Sequence, residues 1–229
     1  MLSKIQNQPQ QKVTDSNYRL TVIAEHHSPI NGTLLVTTNS LLGTNIITPG
    51  KVAQSGDVIT KTWESVLIKI KIKNNIFSNV LIFGFGGGST ANLVYRLWPK
   101  SEITGVEIDP LIISLGNKYF NYPNKRTNIV ISDAFKFLSN KKEFLNKKFD
   151  LVLVDLFIDS KTPKIFLSDK FIKPLSLQLS KNGIVIFNQL NLPQNKKDIL
   201  RLKYILSGTF KKIYFVTYQK NLLIMCFNN

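Results

Sequence analysis

The chain has 229 residues and a mass of 26.0 kDa, enough for one ordinary domain with at most a small appendage. Its 43% aliphatic and aromatic content against 19% charged residues supports a buried core and excludes a wholly disordered chain. The formal charge of +16 resembles that of proteins that meet nucleic acid or membrane surfaces, but the basic residues are nearly all Lys, scattered through an Asn- and Ile-rich sequence, so nucleic acid is an open partner and not the favoured one.

The first sixteen residues are polar, with four Gln and no apolar run. No stretch of the chain approaches the ~20 apolar residues that a membrane-spanning helix needs. These features lead to the expectation of a cytoplasmic, soluble protein without a membrane partner. The single Cys226 has no disulfide partner, and no Cys/His cluster has metal-ligand spacing, so no metal site is expected. His26 and His27 are adjacent and would point to opposite faces of a strand.

From Tyr18 to Ile47 the pattern is strand-like, with Tyr18–Ala24, a turn at Pro29–Gly32, and Thr33–Thr37. It predicts a small hairpin or three-stranded unit, broken by Pro49, Gly50 and Gly56. Trp63, Val66, Leu67 and Ile70 then fall on one helical stripe, leaving Lys69, Lys71 and Lys73 off it. We set the boundary between the polar tail with its β-unit and the main α/β domain at 1–57 and 58–229.

From Asn79 onward strands and helices alternate. The strands are predicted at Val80–Phe83, Ile103–Glu107, Ile129–Ser132, Leu151–Asp155 and Ile184–Asn188, each a run of β-branched or large apolar residues of the kind buried on both faces in parallel sheets. Helices are predicted at Thr90–Trp98, Pro110–Phe120, Ala134–Leu138, Asp169–Leu179 and Lys196–Leu206, the second capped by Asp109 ahead of Pro110. Two further strands, Lys212–Val216 and Leu222–Phe227, close the chain. The pattern describes a Rossmann-like, doubly wound α/β fold.

Between the first of these strands and its helix lies Gly84-Phe-Gly86-Gly-Gly88-Ser-Thr90. Such a turn lets a ligand approach the backbone, with helix N–H groups pointing at it. Glu107 follows nineteen residues after Gly88 at the end of the next strand, where an acid accepts hydrogen bonds from two ribose hydroxyls. Asp133-Ala134 ends the third strand, where a carboxylate is placed to accept from an adenine amino group. The glycines read G-x-G-x-G, without the third glycine position of a dinucleotide fingerprint. The pattern suits adenosine carried on a sulfonium donor better than NAD.

Gly84–Ser89, Gly105-Val-Glu107-Ile-Asp109, Asp133-Ala134 and Asp150-Leu-Val-Leu-Val-Asp155 resemble the spermidine synthase (polyamine aminopropyltransferase) family over roughly Gly32 to Asn188. Ile82 stands where mainstream methyltransferases carry an acid two residues before the first glycine. The resemblance implies a seven-stranded methyltransferase-type sheet with a small N-terminal β-unit. It implies donor contacts from Gln54, Gly84, Gly86, Gly88, Glu107, Asp109, Asp133 and Ala134, acceptor contacts from Trp63, Asp155 and Asp159, and catalysis by Asp155. The implied donor is decarboxylated S-adenosylmethionine, or S-adenosylmethionine itself, and the implied partner is a small-molecule amine such as putrescine, with a homodimer left open.

The chain departs from the family at the positions specific to aminopropyl transfer. Gly87 aligns with an Asp that holds the donor's amine, Trp63 stands in place of a Tyr, and Asp155 and Asp159 are four apart where the family pairs aspartates three apart. An amine acceptor is protonated at neutral pH, and a carboxylate at Asp155 is suited to orient it and take its proton. Methyl transfer from S-adenosylmethionine, and nucleoside binding without catalysis, stay open beside aminopropyl transfer.

Overall fold

The computed structural model describes residues 20–41, 43–50, 52–73, 75–120, 122, 126–140, 147–158 and 160–228. Two sheets are present among the described residues. The first is antiparallel, with strands β1 (Thr21–Ser28), β2 (Gly32–Asn39), β3 (Gly43–Ile47) and β4 (Ala53–Gly56) in sequential order. This is one strand more than the sequence reading allowed, because Pro49 and Gly50 make a turn rather than end the sheet. Thr48 N–H donates to the Val52 carbonyl across that turn, and β4 pairs back onto β3 through Ile46 and Ser55. Gly56 then hands the chain to helix α1 (Asp57–Ile72) at φ +114°, a backbone state open to glycine.

The second sheet contains β5 (Asn79–Phe83), β6 (Glu102–Glu107), β7 (Thr127–Ile131), β8 (Phe149–Val154), β9 (Leu179–Leu190), β10 (Lys212–Tyr218) and β11 (Asn221–Phe227), in the order β10-β11-β9-β8-β5-β6-β7. The strands from β9 to β7 run parallel. The β11 strand inserts antiparallel between β9 and β10. Helices α2 (Ser89–Leu97), α3 (Pro110–Tyr119), α4 (Ala134–Ser139), α5 (Asp169–Ser176) and α6 (Lys196–Thr209) connect them. The predicted helix at Asp169–Leu179 stops earlier because Leu179 is buried and opens β9 opposite Phe149.

Alternation along the strands divides the core. Leu81 and Phe83 join Val152, Val154, Phe171 and Leu202 on the α5/α6 face, while Val80 and Ile82 join Trp63, Val66, Leu67 and Leu153 on the α1/α2 face. A third cluster packs Leu34, Val36 and Ile46 of the small sheet on Ile112 and Leu115 of α3. That contact carries the β1–β2 turn and β4 to the C-terminal ends of the parallel strands. Strand succession reverses at β5, with β6 on one side and β8 on the other, and ligands of open α/β sheets bind outside such a switch point.

Candidate functional site

A cleft opens at this switch point. It encloses about 1030 Å³ with its open mouth included. The sequence-predicted residues Gln54, Gly84, Gly86, Glu107, Asp133, Ala134 and Asp155 all line it. They come from β4 and from the ends of β5 to β8, so one fold feature brings together residues a hundred positions apart.

The glycine loop is held from three sides. Gly84 has φ +74°, and a Cβ there would collide with the main-chain carbonyl of Asp155. Gly87 N–H donates to Ser55 Oγ at 3.1 Å, and Ser55 Oγ meets Ser89 Oγ at 2.7 Å. A Cβ on Gly87 would lie 2.9 Å from Ser55 Oγ, 3.0 Å from a Phe120 ring carbon and 3.2 Å from the Gly116 Cα. The position that the family fills with Asp is therefore packed against β4 and α3. Gly88 caps α2 at φ +87°, its missing side chain facing Tyr122; its place is beneath the loop and not in the cleft lining.

Glu107 is 7% exposed at the end of β6. Its Oε2 accepts from Gly86 N–H at 2.9 Å, and its Oε1 accepts from Ile108 and Asp109 N–H at 2.8 and 3.0 Å. Burial raises the pKa of this carboxyl, the three backbone donors oppose the rise, and the Asp109 charge adds to it. The carboxylate thus ties the glycine loop to its own strand end, and Oε2, with a single donor, retains acceptor capacity toward the cleft.

Asp133 accepts from Lys136 N–H at 2.9 Å as the cap of α4. Asp109 is fully buried. Its Oδ1 caps α3 through Leu111 N–H at 2.9 Å, and its Oδ2 accepts from Ser28 Oγ and Asn31 Nδ2, both at 2.6 Å. Asp109 is not in the cleft lining; it latches the β1–β2 turn, which contributes Ile30 and Asn31 to the cleft wall.

Asp155 is half-buried just beyond β8. Trp63 Nε1 donates to its Oδ2 at 2.9 Å, and Asn188 Nδ2 donates to its Oδ1 at 2.9 Å. Burial pushes the Asp155 carboxyl above its ordinary value, and the two donors pull against that rise. Trp63 is fully buried in α1 and reaches the cleft only through this hydrogen bond. Asp159 lies outside the described residues. The wall beyond Asp155 is apolar, with Leu156, Phe157, Ile158, Ile165 and Phe166.

The sequence reading gave no role to Asn188, Ser55, Ser89 or the β1–β2 turn. Asn188 carried one signal, a polar residue ending an apolar strand. Ser55 and the turn carried none, because tertiary packing of the small sheet brings them in. Among the described residues no group of three or more His, Cys, Asp or Glu is placed to hold a metal ion, and no helix is long and apolar enough to cross a membrane.

This strand order, with a glycine loop and strand-end acids at its switch point, defines a methyltransferase-type α/β fold. The sequence model of the spermine/spermidine synthase domain matches residues 68–222, and the chain belongs to that family. It is 30% identical over 203 residues to the polyamine aminopropyltransferase of Sulfurisphaera tokodaii, covering 84% of this chain and 64% of that one. It is also 30% identical over 126 residues to the eEF1A lysine and N-terminal methyltransferase homolog of Drosophila melanogaster, covering 51% of this chain and 18% of that one. This chain thus spans less than two thirds of the length of either relative.

Among solved structures, spermidine synthase from Thermotoga maritima superposes with a TM-score of 0.73 at 17% identity, covering 91% of this chain and 73% of that chain. Human methyltransferase-like protein 13, solved in complex with SAH, gives 0.62 at 22% identity, covering 73% and 81%. Both likenesses show the fold.

Proposed function

We propose that the protein is a transferase that moves an aminopropyl group from decarboxylated S-adenosylmethionine to a small amine such as putrescine, in a cytoplasmic setting. The observation that carries this reading is the meeting, in one cleft, of the nucleoside-side acids Glu107 and Asp133 with Asp155. Glu107 holds the ribose hydroxyls on the acceptor capacity its backbone donors leave free. Asp133 and Ala134 face the adenine, and Gly84 and Gly86 let the nucleoside approach the main chain. Asp155 orients the acceptor ammonium and takes one proton from it. The freed nitrogen lone pair forms the new N–C bond in line as the C–S bond breaks, the electron pair stays on sulfur to give a neutral thioether, and the proton on Asp155 passes to solvent. Positioning supplies much of the rate in such a displacement. Incubation with decarboxylated S-adenosylmethionine and putrescine, followed by chromatography for methylthioadenosine and spermidine, tests the reading; absence of both products refutes it.

One observation favours a second reading, methyl transfer from S-adenosylmethionine to an amine. With Gly87 packed against Ser55 and Phe120, the glycine loop offers no carboxylate to the donor's ammonium, so the loop itself does not discriminate against a donor that keeps its carboxylate. S-adenosylhomocysteine is then the product to measure.

A further inference from the structure

The carboxylate of Asp155 is gripped at both oxygens by side chains on two different elements. Trp63 reaches it from α1 and Asn188 from β9, each at 2.9 Å. Both grips are buried, with Trp63 fully enclosed and Asn188 2% exposed. An indole N–H is a donor only, and an amide N–H gives up no proton at accessible pH. Neither group therefore competes for the proton that Asp155 handles, whereas a tyrosine hydroxyl at position 63 would be able to donate, accept and ionise.

Asn188 carries a second feature. Its Oδ1 is buried and has no hydrogen-bond partner among the described residues, an arrangement that costs stability and calls for a reason. The amide is nearly symmetric in shape, and its orientation follows from the hydrogen bonds around it. With Asp155 ionised, Nδ2 faces it as donor. With Asp155 protonated, a half-turn of the amide presents Oδ1 as acceptor to the new O–H, with no change of volume.

We infer that Trp63 and Asn188 are positioning residues that hold Asp155 as the proton acceptor for the amine, Trp63 fixing its ionised form and Asn188 partnering it both before and after it takes the proton. This rests on the reading of Asp155 as the group that deprotonates the acceptor. The titratable groups on the surrounding elements are Asp57, Lys61, Glu64, Lys69 and Lys71 on α1, Asp150 on β8, Lys181 on β9, Glu107 and Asp133 at the neighbouring strand ends, and Lys161 and Lys164 beyond β8. None of them hydrogen-bonds or ion-pairs with Asp155, so its ionisation is governed by burial and by the two grips.

The test compares wild type with Trp63→Phe, Asn188→Leu and Asp155→Asn by two readouts. One is the pH dependence of kcat and of the donor KM. The other is a ¹³C NMR titration of the Asp155 carboxyl, assigned by its loss in Asp155→Asn, which needs a folded protein and no activity. Removing a donor to the ionised form raises the carboxyl pKa. The acidic limb of kcat and the NMR midpoint should therefore both move up by roughly one pH unit, or tenfold in rate on that limb, in Trp63→Phe, and by less in Asn188→Leu, because the Asn188 amide partners the protonated carboxyl as well as the ionised one, with the donor KM within about twofold in both. A midpoint unmoved in Trp63→Phe, or one that in Asn188→Leu falls or rises by roughly a full unit, overturns the inference, even where kcat or Tm falls. Wild-type turnover in Asp155→Asn instead overturns the role of Asp155 itself, and the NMR midpoints then decide the grip alone.

Discussion

Gly84 and Asp155 touch: the Cα of the first loop glycine stands so close to the main-chain carbonyl of Asp155 that no side chain fits between them. Asp155 N–H also donates to the Phe83 carbonyl at 2.9 Å. The glycine loop and Asp155 are thus one continuous wall across β5 and β8. Gly84→Ala should cost about 2 kcal/mol or more, through forced packing at a positive φ, measured by urea denaturation.

Glu107→Gln replaces a carboxylate that serves three backbone N–H groups with an amide that has one acceptor oxygen. At least one of the N–H groups of Gly86, Ile108 and Asp109 then faces an amide nitrogen. Methylthioadenosine affinity should fall by about 1–3 kcal/mol, read by calorimetry, together with a lower Tm. Equal affinity in both proteins would remove the ribose assignment.

Much of this site was legible in the sequence, and the reason is local. The glycine loop, Glu107, Asp133 and Asp155 each sit at the end of an apolar strand, and parallel strands deliver their ends to one edge. Residues whose partners come from elsewhere in the chain were not legible. Asp109 reads as a helix cap and is one, but its second oxygen serves Ser28 and Asn31, 81 and 78 residues away. Trp63 sits on the predicted apolar stripe, and nothing in that stripe tells that its N–H ends on Asp155. The fourth strand of the small sheet was hidden by Pro49 and Gly50, which serve equally to end a sheet and to turn a hairpin.

Asp109→Ala strips three donors of their shared buried acceptor. Global stability should drop by at least about 1.5–3 kcal/mol, and hydrogen exchange should rise first in the β1–β2 turn. Unchanged protection of residues 28–32 would show that the turn docks without this latch.

Asp155 and Glu107 both have raised pKa values in the folded protein. Between the unfolded and folded pKa values the native state binds more protons than the unfolded state, so their contribution to stability falls as pH rises through that window and is fully penalised above it. At neutral pH Asp155→Asn removes one such penalty, and a turned Asn188 amide offers the new side chain an acceptor. Its Tm at pH 7 should equal or exceed that of wild type. A large loss of stability would mean that the grip depends on the negative charge.

The most direct measurement is a side-by-side turnover assay with decarboxylated S-adenosylmethionine and S-adenosylmethionine, each with putrescine, for wild type and Asp155→Asn. The account predicts methylthioadenosine and spermidine from the decarboxylated donor, slowed by about 10²–10⁴-fold in Asp155→Asn, the scale of a lost acid–base group, with methylthioadenosine affinity unchanged. Formation of S-adenosylhomocysteine with no methylthioadenosine, or a variant as fast as wild type, would contradict it.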